Sequence, residues 1–130
     1  MEPTLFLLFN HRLTPDQAAD ARASLGVSSI ADLPPDLKEL WGSIPPRVPE
    51  IEPVLAPFRD WLDRNARPGD FVLVQGDFGA TYLMVRFAMA RSWIPVYSAT
   101  RREALEEHLP DGRVRLTHHF RHERFRYYGR

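Results

Sequence analysis

The sequence predicts an α/β fold: an open, mainly parallel sheet with helices on both faces and an antiparallel strand at its C-terminal edge. Three observations predict it. Two runs, Thr4 to Phe9 and Asp70 to Val74, are apolar without alternation, which is the pattern of strands covered on both sides. Segments of helical period with start signals separate the strands. The resulting order alternates strand and helix along the chain, as a parallel sheet with right-handed crossovers requires.

Each element has a local reason. Thr4 to Phe9 ends at Asn10-His11, and Thr14-Pro15-Asp16-Gln17 then supplies an N-cap, a proline at the first helical position and a glutamine three residues after the cap. That helix runs through Ala18, Ala21 and Leu25 and stops at Gly26. Val27 to Ile30 reads as a short second strand. Pro34-Pro35 opens a short helix carrying Leu37, Leu40 and Trp41, closed by Ile44-Pro45-Pro46. Ile51, Val54, Leu55, Phe58, Trp61 and Leu62 recur at helical spacing, with Pro57 set to kink that helix or delay its start. Arg67-Pro68-Gly69 closes it, and the strand Asp70 to Val74 runs through the Gly-x-x-Gly turn Gly76-Asp77-Phe78-Gly79 into a helix that carries Tyr82, Val85, Phe87 and Met89. Ile94 to Tyr97 is the next strand. Thr100-Arg101-Arg102-Glu103 matches a capping box and predicts a helix through Leu109. After the turn Asp111-Gly112 the chain alternates, with Val114, Leu116, His118 and Phe120 on one face. Beyond Glu123 the apolar phase switches to Phe125 and Tyr127, which predicts a bulge or break near His122.

Composition bounds the function. A chain of 130 residues, 44% hydrophobic and 26% charged, is one domain over residues 1–130 with enough apolar content for a real core. The formal charge is zero, so no global field draws it to DNA or to an anionic membrane. Residues 113–130 nevertheless hold six Arg and three His against Glu123 alone, which predicts a local basic surface. There is no Cys, which excludes disulfide scaffolds and zinc–thiolate sites and is compatible with a cytoplasmic location. No apolar run approaches the roughly 20 residues that cross a bilayer. His118, His119 and His122 look at first like a metal cluster. Neighbouring strand residues face opposite ways, however, and a spacing of four spans about 13 Å, so no metal site is expected.

In a sheet of this kind ligands bind beyond the carboxyl ends of the strands. Three strand-to-helix turns open on that edge: Asn10-His11 to Thr14, Gln75 to Gly79, and Ser98 to Arg102. Together they offer amides, an imidazole, a carboxylate, hydroxyls and two guanidinium groups, a set that suits a phosphate-bearing ligand at a helix N-terminus. Several of these groups also have a purely local reading. His11 could bond its own turn, Asp77 could cap the helix that follows, and Thr14 and Thr100 are caps in either case.

Five stretches carry a resemblance: Leu-Phe-Asn-His-x-Leu-Thr, Leu-Pro-x-x-Leu-x-x-Leu-Trp-x-x-Ile-Pro-Pro, Val-Leu-Val-Gln-Gly-Asp-Phe-Gly-Ala-Thr, Tyr-Ser-Ala-Thr-Arg and Phe-Arg-His-x-x-Phe-Arg-x-Tyr. In this order they resemble the small CRISPR-associated accessory proteins of type III systems, a ring-nuclease family related to the CRISPR-associated Rossmann fold. Ala99 departs from that pattern, which favours Thr there. The resemblance implies a cytoplasmic homodimer in type III antiviral defence. Its ligand would be cyclic oligoadenylate, cyclic tetra-adenylate above all, with no metal or other cofactor. It implies cleavage by the ligand's own 2′-hydroxyl, with His11 moving the proton and Arg101 holding the phosphoryl charge. Asp77 would set the tautomer of His11 or simply cap. Asn10, Gln75, Gly76, Phe78, Gly79, Thr81, Thr100 and Arg102 would line the ligand, with His122 as a second proton carrier if the C-terminal strand folds back over the site. Sequestration without cleavage and an RNA- or protein-binding role for the basic C-terminal strand are the alternatives.

Overall fold

The structure is a computed structural model and describes residues 2–130. Its sheet has five strands: β1 (Thr4–Leu8), β2 (Ser29–Ala31), β3 (Phe71–Val74), β4 (Ile94–His108) and β5 (Val114–Tyr127). Their order is β2-β1-β3-β4-β5. The first four run parallel, and β5 returns antiparallel to β4. The helices α1 (Pro15–Asp20), α2 (Pro35–Gly42), α3 (Ala56–Asn65) and α4 (Phe78–Ala90) lie on the connections. Leu5, Leu7, Phe71, Leu73 and Val96 pack with Ala21 and Leu25 on one face of the sheet. Phe6, Leu8, Val72 and Val74 pack with Trp41, Phe58, Met84 and Trp93 on the other. The α/β, Rossmann-like open sheet with helices on both faces is therefore the observed fold. β3 is buried along its whole length, as its unbroken apolar run requires.

Local signals account for most boundaries. At Thr14 the capping box closes, with Gln17 N–H donating to Thr14 Oγ1 at 3.1 Å and Thr14 N–H donating to Gln17 Oε1 at 2.9 Å. The helix continues as one π-helical stretch over Ala21–Leu25 and stops at Gly26, whose φ of 70° suits a residue without Cβ. Pro57 delays α3: a 3₁₀ turn over Glu52–Leu55 precedes it, and the helix proper begins at Ala56.

The helix expected over Thr100 to Leu109 does not form. Those residues continue β4 as an extended strand, paired to β5 as far as His108 with Val114. The same four-residue pattern is satisfied at Thr14 and not at Thr100. Thr14 is followed by Pro15, which presets the helical φ, and by Gln17, which the core buries. Thr100 has neither. The turn Asp111-Gly112, with Gly112 at φ +88° and Leu109 N–H donating to Arg113 O at 2.8 Å, closes a hairpin instead. Glu103 then has a cross-strand use, since Arg101 and Arg121 sit opposite each other and it bonds the first at 3.0 Å and the second at 3.5 Å. One carboxylate between two guanidiniums relieves a like-charge pair.

The expected bulge is present. Ala99 pairs with Arg124 and Thr100 with His122, so Glu123 is the extra residue of β5. It lets His122 and Phe125, three apart, face the same way, with ring centroids 4.5 Å apart. His122 is thereby turned inward onto α1, not over the strand ends, which corrects its expected place at the site. Its Nε2 lies 2.6 Å from Asp20 Oδ2, and its Nδ1 lies 2.6 Å from Ser98 Oγ, which also receives Gln17 Nε2 at 3.3 Å. The Nε2–H tautomer satisfies every proton of this chain: His122 donates to Asp20 and accepts from Ser98. Only 5% of the His122 side chain is exposed. Substituting His122 by Ala leaves buried Ser98 and partly buried Asp20 without their partner. Urea unfolding is expected to show a loss of about 1–3 kcal/mol, with native-like circular dichroism before the transition. An unchanged midpoint would show that this chain does not hold β5 to α1.

Candidate functional site

β1, β3 and the body of β4 end on one rim, and the residue that joins them is Gln75. Its N–H donates to Leu8 O at 3.1 Å, its carbonyl accepts from Trp41 Nε1 at 2.8 Å, and its side-chain Oε1 accepts from Ser98 N–H at 2.6 Å. The Trp41 indole lies so close that a Cβ on Gly76 would sit 2.6 Å from Nε1. Gly42 is packed in the same way on Asn10, at 3.0 Å for a notional Cβ. Both glycines serve close approach of backbone to side chain.

Three shallow grooves run along this rim and share residues. The first, about 340 Å³, lies between Asn10, Trp41, Ser43, Gly76 and Asp77. Gly76 also borders the second, about 310 Å³, lined by Gln75, Phe78, Thr81, Tyr97 and Tyr128. Tyr97 passes into the third, about 550 Å³, where Arg101, Arg124 and Arg126 stand with Thr100 and Glu123. A cleft of about 400 Å³ at the opposite ends of the strands carries a different chemistry. There Asp70 is occupied by the N–H groups of Thr4 and Arg67, at 2.9 and 2.8 Å, as a turn lock.

The rim combines a helix N-terminus with cations. Asp77 caps α4 by accepting from Ala80 N–H at 3.0 Å, which leaves the N–H groups of Phe78 and Gly79, in the first turn, without an intrahelical acceptor. Thr81 Oγ1 is buried and has no hydrogen-bond partner among the described residues. Phe78 is 95% exposed at the groove's edge. Tyr97 and Tyr128 pack at 4.9 Å between ring centroids, and Tyr128 O–H donates to Val74 O at 2.6 Å. Burial first, and the neighbouring Tyr97 second, push the Tyr128 phenol above its ordinary range. It therefore stays protonated and keeps donating to Val74.

Several expected site residues lie elsewhere or act otherwise. Asn10, Gln75, Gly76, Phe78 and Thr81 line the rim, together with Thr100 and Arg101 in the third groove. Arg102 does not join them. On a strand it points opposite to Arg101, because no helix turns the two to one side. His11 is exposed, with its ring edge-on to Phe9 at 5.2 Å. The Asp77 carboxylate is used in the cap, so its observed partner is Ala80 rather than His11. Arg101 is paired with Glu103 and lies 3.9 Å from Glu123. Tyr97, Tyr128, Trp41, Arg124 and Arg126 were not among the expected site residues. Their signal lies in the strand pairing, which sets Arg126 opposite Tyr97 and Arg124 opposite Ala99.

The family model described as the uncharacterized protein MJ1673 family matches residues 3–126. The chain belongs to the MJ1673 family. It is 48% identical over 126 residues to uncharacterized protein MJ1673 of Methanocaldococcus jannaschii, a match covering 97% of each chain. No solved structure matches the chain. The match reaches from the start of β1 past the β5 bulge, so it takes in the rim residues of this MJ1673-family protein apart from Tyr128.

Two outcomes test this geometry. Gly76→Ala is expected to lower stability by about 1–3 kcal/mol in urea unfolding, because a methyl group must displace the Trp41 indole from the Gln75 carbonyl. A loss within the error of the measurement would contradict that contact. For Tyr128, the folded state holds the proton more tightly than the unfolded chain. Its contribution is then full below about pH 10 and is lost as pH rises through the folded-state value. Wild type should lose stability above that pH more steeply than Tyr128→Phe, and parallel profiles would overturn the assignment.

Proposed function

We propose that this protein binds a cyclic oligoadenylate along the rim and opens the ring as a ring nuclease of type III CRISPR defence, in a two-fold dimer. The observation that carries the reading is the succession of unpaired α4 N-terminal amides, exposed Phe78 and the Arg101-Arg124-Arg126 cluster along connected grooves. A ring of phosphodiesters needs anion contacts alternating with surfaces for its bases, and these groups alternate in that way. The five-stretch resemblance to CRISPR-associated accessory proteins points to the same ligand.

The chemistry asks little of the protein beyond alignment and charge. The 2′-hydroxyl oxygen attacks the adjacent phosphorus, the bond to the 5′-oxygen breaks, and the products are a 2′,3′-cyclic phosphate and a 5′-hydroxyl. The proton leaves the 2′-oxygen and one is returned to the 5′-oxygen. Arg101 and the first-turn amides of α4 neutralise the phosphoryl oxygens as charge grows on them, and Gln75 and Asn10 hold the ring in place. His11 serves as proton carrier by rotating from Phe9 toward the groove.

One observation favours a second reading, sequestration of the ring without cleavage. Arg101 is held by Glu103, and His11 rests on Phe9 rather than against the groove. Incubating protein with a chelator and excess cyclic tetra-adenylate separates the two, since cleavage gives linear products ending in 2′,3′-cyclic phosphate. Arg101→Ala is expected to lower the single-turnover rate by about 10²-fold. An intact ring after many equivalents would leave only binding, and a His11→Ala rate equal to wild type would remove His11 from the mechanism.

A further inference from the structure

Among the described residues two apolar surfaces stand uncovered, and both begin at the rim. One is the ribbon that β4 and β5 form beyond Thr100. No residue from Arg101 to Arg121 is buried, so the ribbon stands clear of the body for roughly 25 Å at the rise of an extended strand. An isolated two-stranded ribbon is marginal in water. This one places Val114, Leu116 and Phe120 in alternate positions on one face, 54%, 55% and 70% exposed. The other surface is the outer side of α4. That helix buries Ala80, Met84 and Ala88 against the sheet, and Phe78, Tyr82 and Met89 are exposed at 95%, 61% and 47%. Its one charge is Arg86. A helix apolar all round is one covered on both sides, and the protomer covers only one.

We infer that a second copy of this chain covers both surfaces at once, the ribbon of each protomer lying with its Phe120 face on α4 of its partner. Three arguments fix the occupant. Each chain carries both halves, so a two-fold axis uses each of them and leaves neither in water, whereas a foreign partner on one would leave the other bare. The ribbon's apolar face holds Arg102, opposite Phe120, as well as Glu106, and the outer side of α4 holds Arg86, so an acid–base pair is open to form across the axis. Glu106 lies opposite Leu116 on the ribbon's apolar face, 3.9 Å from His108, and the Arg86 guanidinium has Tyr82 beside it, 3.5 Å from the hydroxyl and 5.6 Å over the ring. Glu106 of one protomer therefore meets Arg86 of the other. Finally, the ribbon's charges nearly cancel, with five Arg against Glu103, Glu106, Glu107 and Asp111 over residues 101–121, which suits protein and not nucleic acid. Because Phe78 both opens α4 and edges the groove, the partner's ribbon borders the site. The inference rests on the dimer of the proposed function and not on its chemistry.

Sedimentation equilibrium of the full chain at about 10 μM, without nucleotide, tests it. Wild type is expected to be dimeric. Leu116→Lys on the ribbon and Tyr82→Lys on α4 should each weaken association by at least about 30-fold with unchanged circular dichroism. Mixing these two variants should restore a dimer, because one of its two ribbon–helix contacts is then wild type on both sides. Arg86→Glu should weaken the dimer about 10-fold, and Glu106→Arg in the same chain should recover it. A monomeric wild type overturns the inference, as does a dimer indifferent to either lysine substitution. A mixture that stays monomeric also overturns it, because ribbon then does not pair with helix. If this pattern holds while cyclic tetra-adenylate neither binds nor is cut, the proposed function falls and the interface stands. Ring cleavage by a monomer would overturn the interface and leave the chemistry standing.

Discussion

The hydrogen-bonding of Gln75 is the constraint on which the rest of the molecule depends. One residue at the end of a fully buried strand gives its N–H to β1, its carbonyl to the indole of α2 and its side-chain oxygen to the backbone of β4. Each of these groups sits where regular parallel pairing has just run out. Without partners they would be polar groups on the edge of a core, each costing about 1–3 kcal/mol where water is excluded. The bonds fix the separation of three strand ends, and that separation sets the width of the grooves. Gly76 follows from the same packing, because the indole that reaches the Gln75 carbonyl occupies the space of a Cβ. The residues that give the rim its shape are thus different from those that give it charge.

The charge depends on a second device, the extra residue Glu123. A regular β5 would send His122 and Phe125 to opposite faces. With the bulge both face α1, the Asp20–His122–Ser98 chain closes, and Ser98 is held where its N–H meets Gln75. The opposite face of the same strands is left to Arg124 and Arg126, beside Tyr97 and near Arg101. One inserted residue therefore links an internal polar chain on one side of the sheet to a cationic groove on the other. The ribbon beyond continues these two faces into solvent, with Val114, Leu116 and Phe120 on the first beside Arg102, and Arg101, Arg115 and Arg121 on the second beside Leu105.

Much of this was legible in the sequence, and the failures share a cause. The strands β1 and β3, the proline-started helices and the delayed start at Pro57 follow from local signals that nothing in the tertiary structure opposes. The phase switch after Glu123 was readable because a bulge leaves its mark in the alternation itself. The segment after Thr100 misled because a capping box is a four-residue pattern, while the pairing that overrides it involves Val114 to Arg121, a turn and a dozen residues away. Once that helix is lost, Arg101 and Arg102 part to opposite faces. His122 could not be placed from its neighbours, since its partners are 24 and 102 residues distant. The roles of Tyr97 and Tyr128 were hidden for the same reason, as long-range contacts of residues that look like ordinary packing.

If the strand ends form one anion-binding rim, a single ligand must perturb all of them together. Amide chemical-shift mapping during titration with cyclic tetra-adenylate measures this without requiring turnover. Saturable shifts are expected at Gly76, Phe78, Gly79, Thr81 and Tyr97, extending to Arg101 and Arg124. Shifts centred on Thr4 and Asp70 at the opposite end of the sheet, or none at saturating ligand, would contradict a common rim.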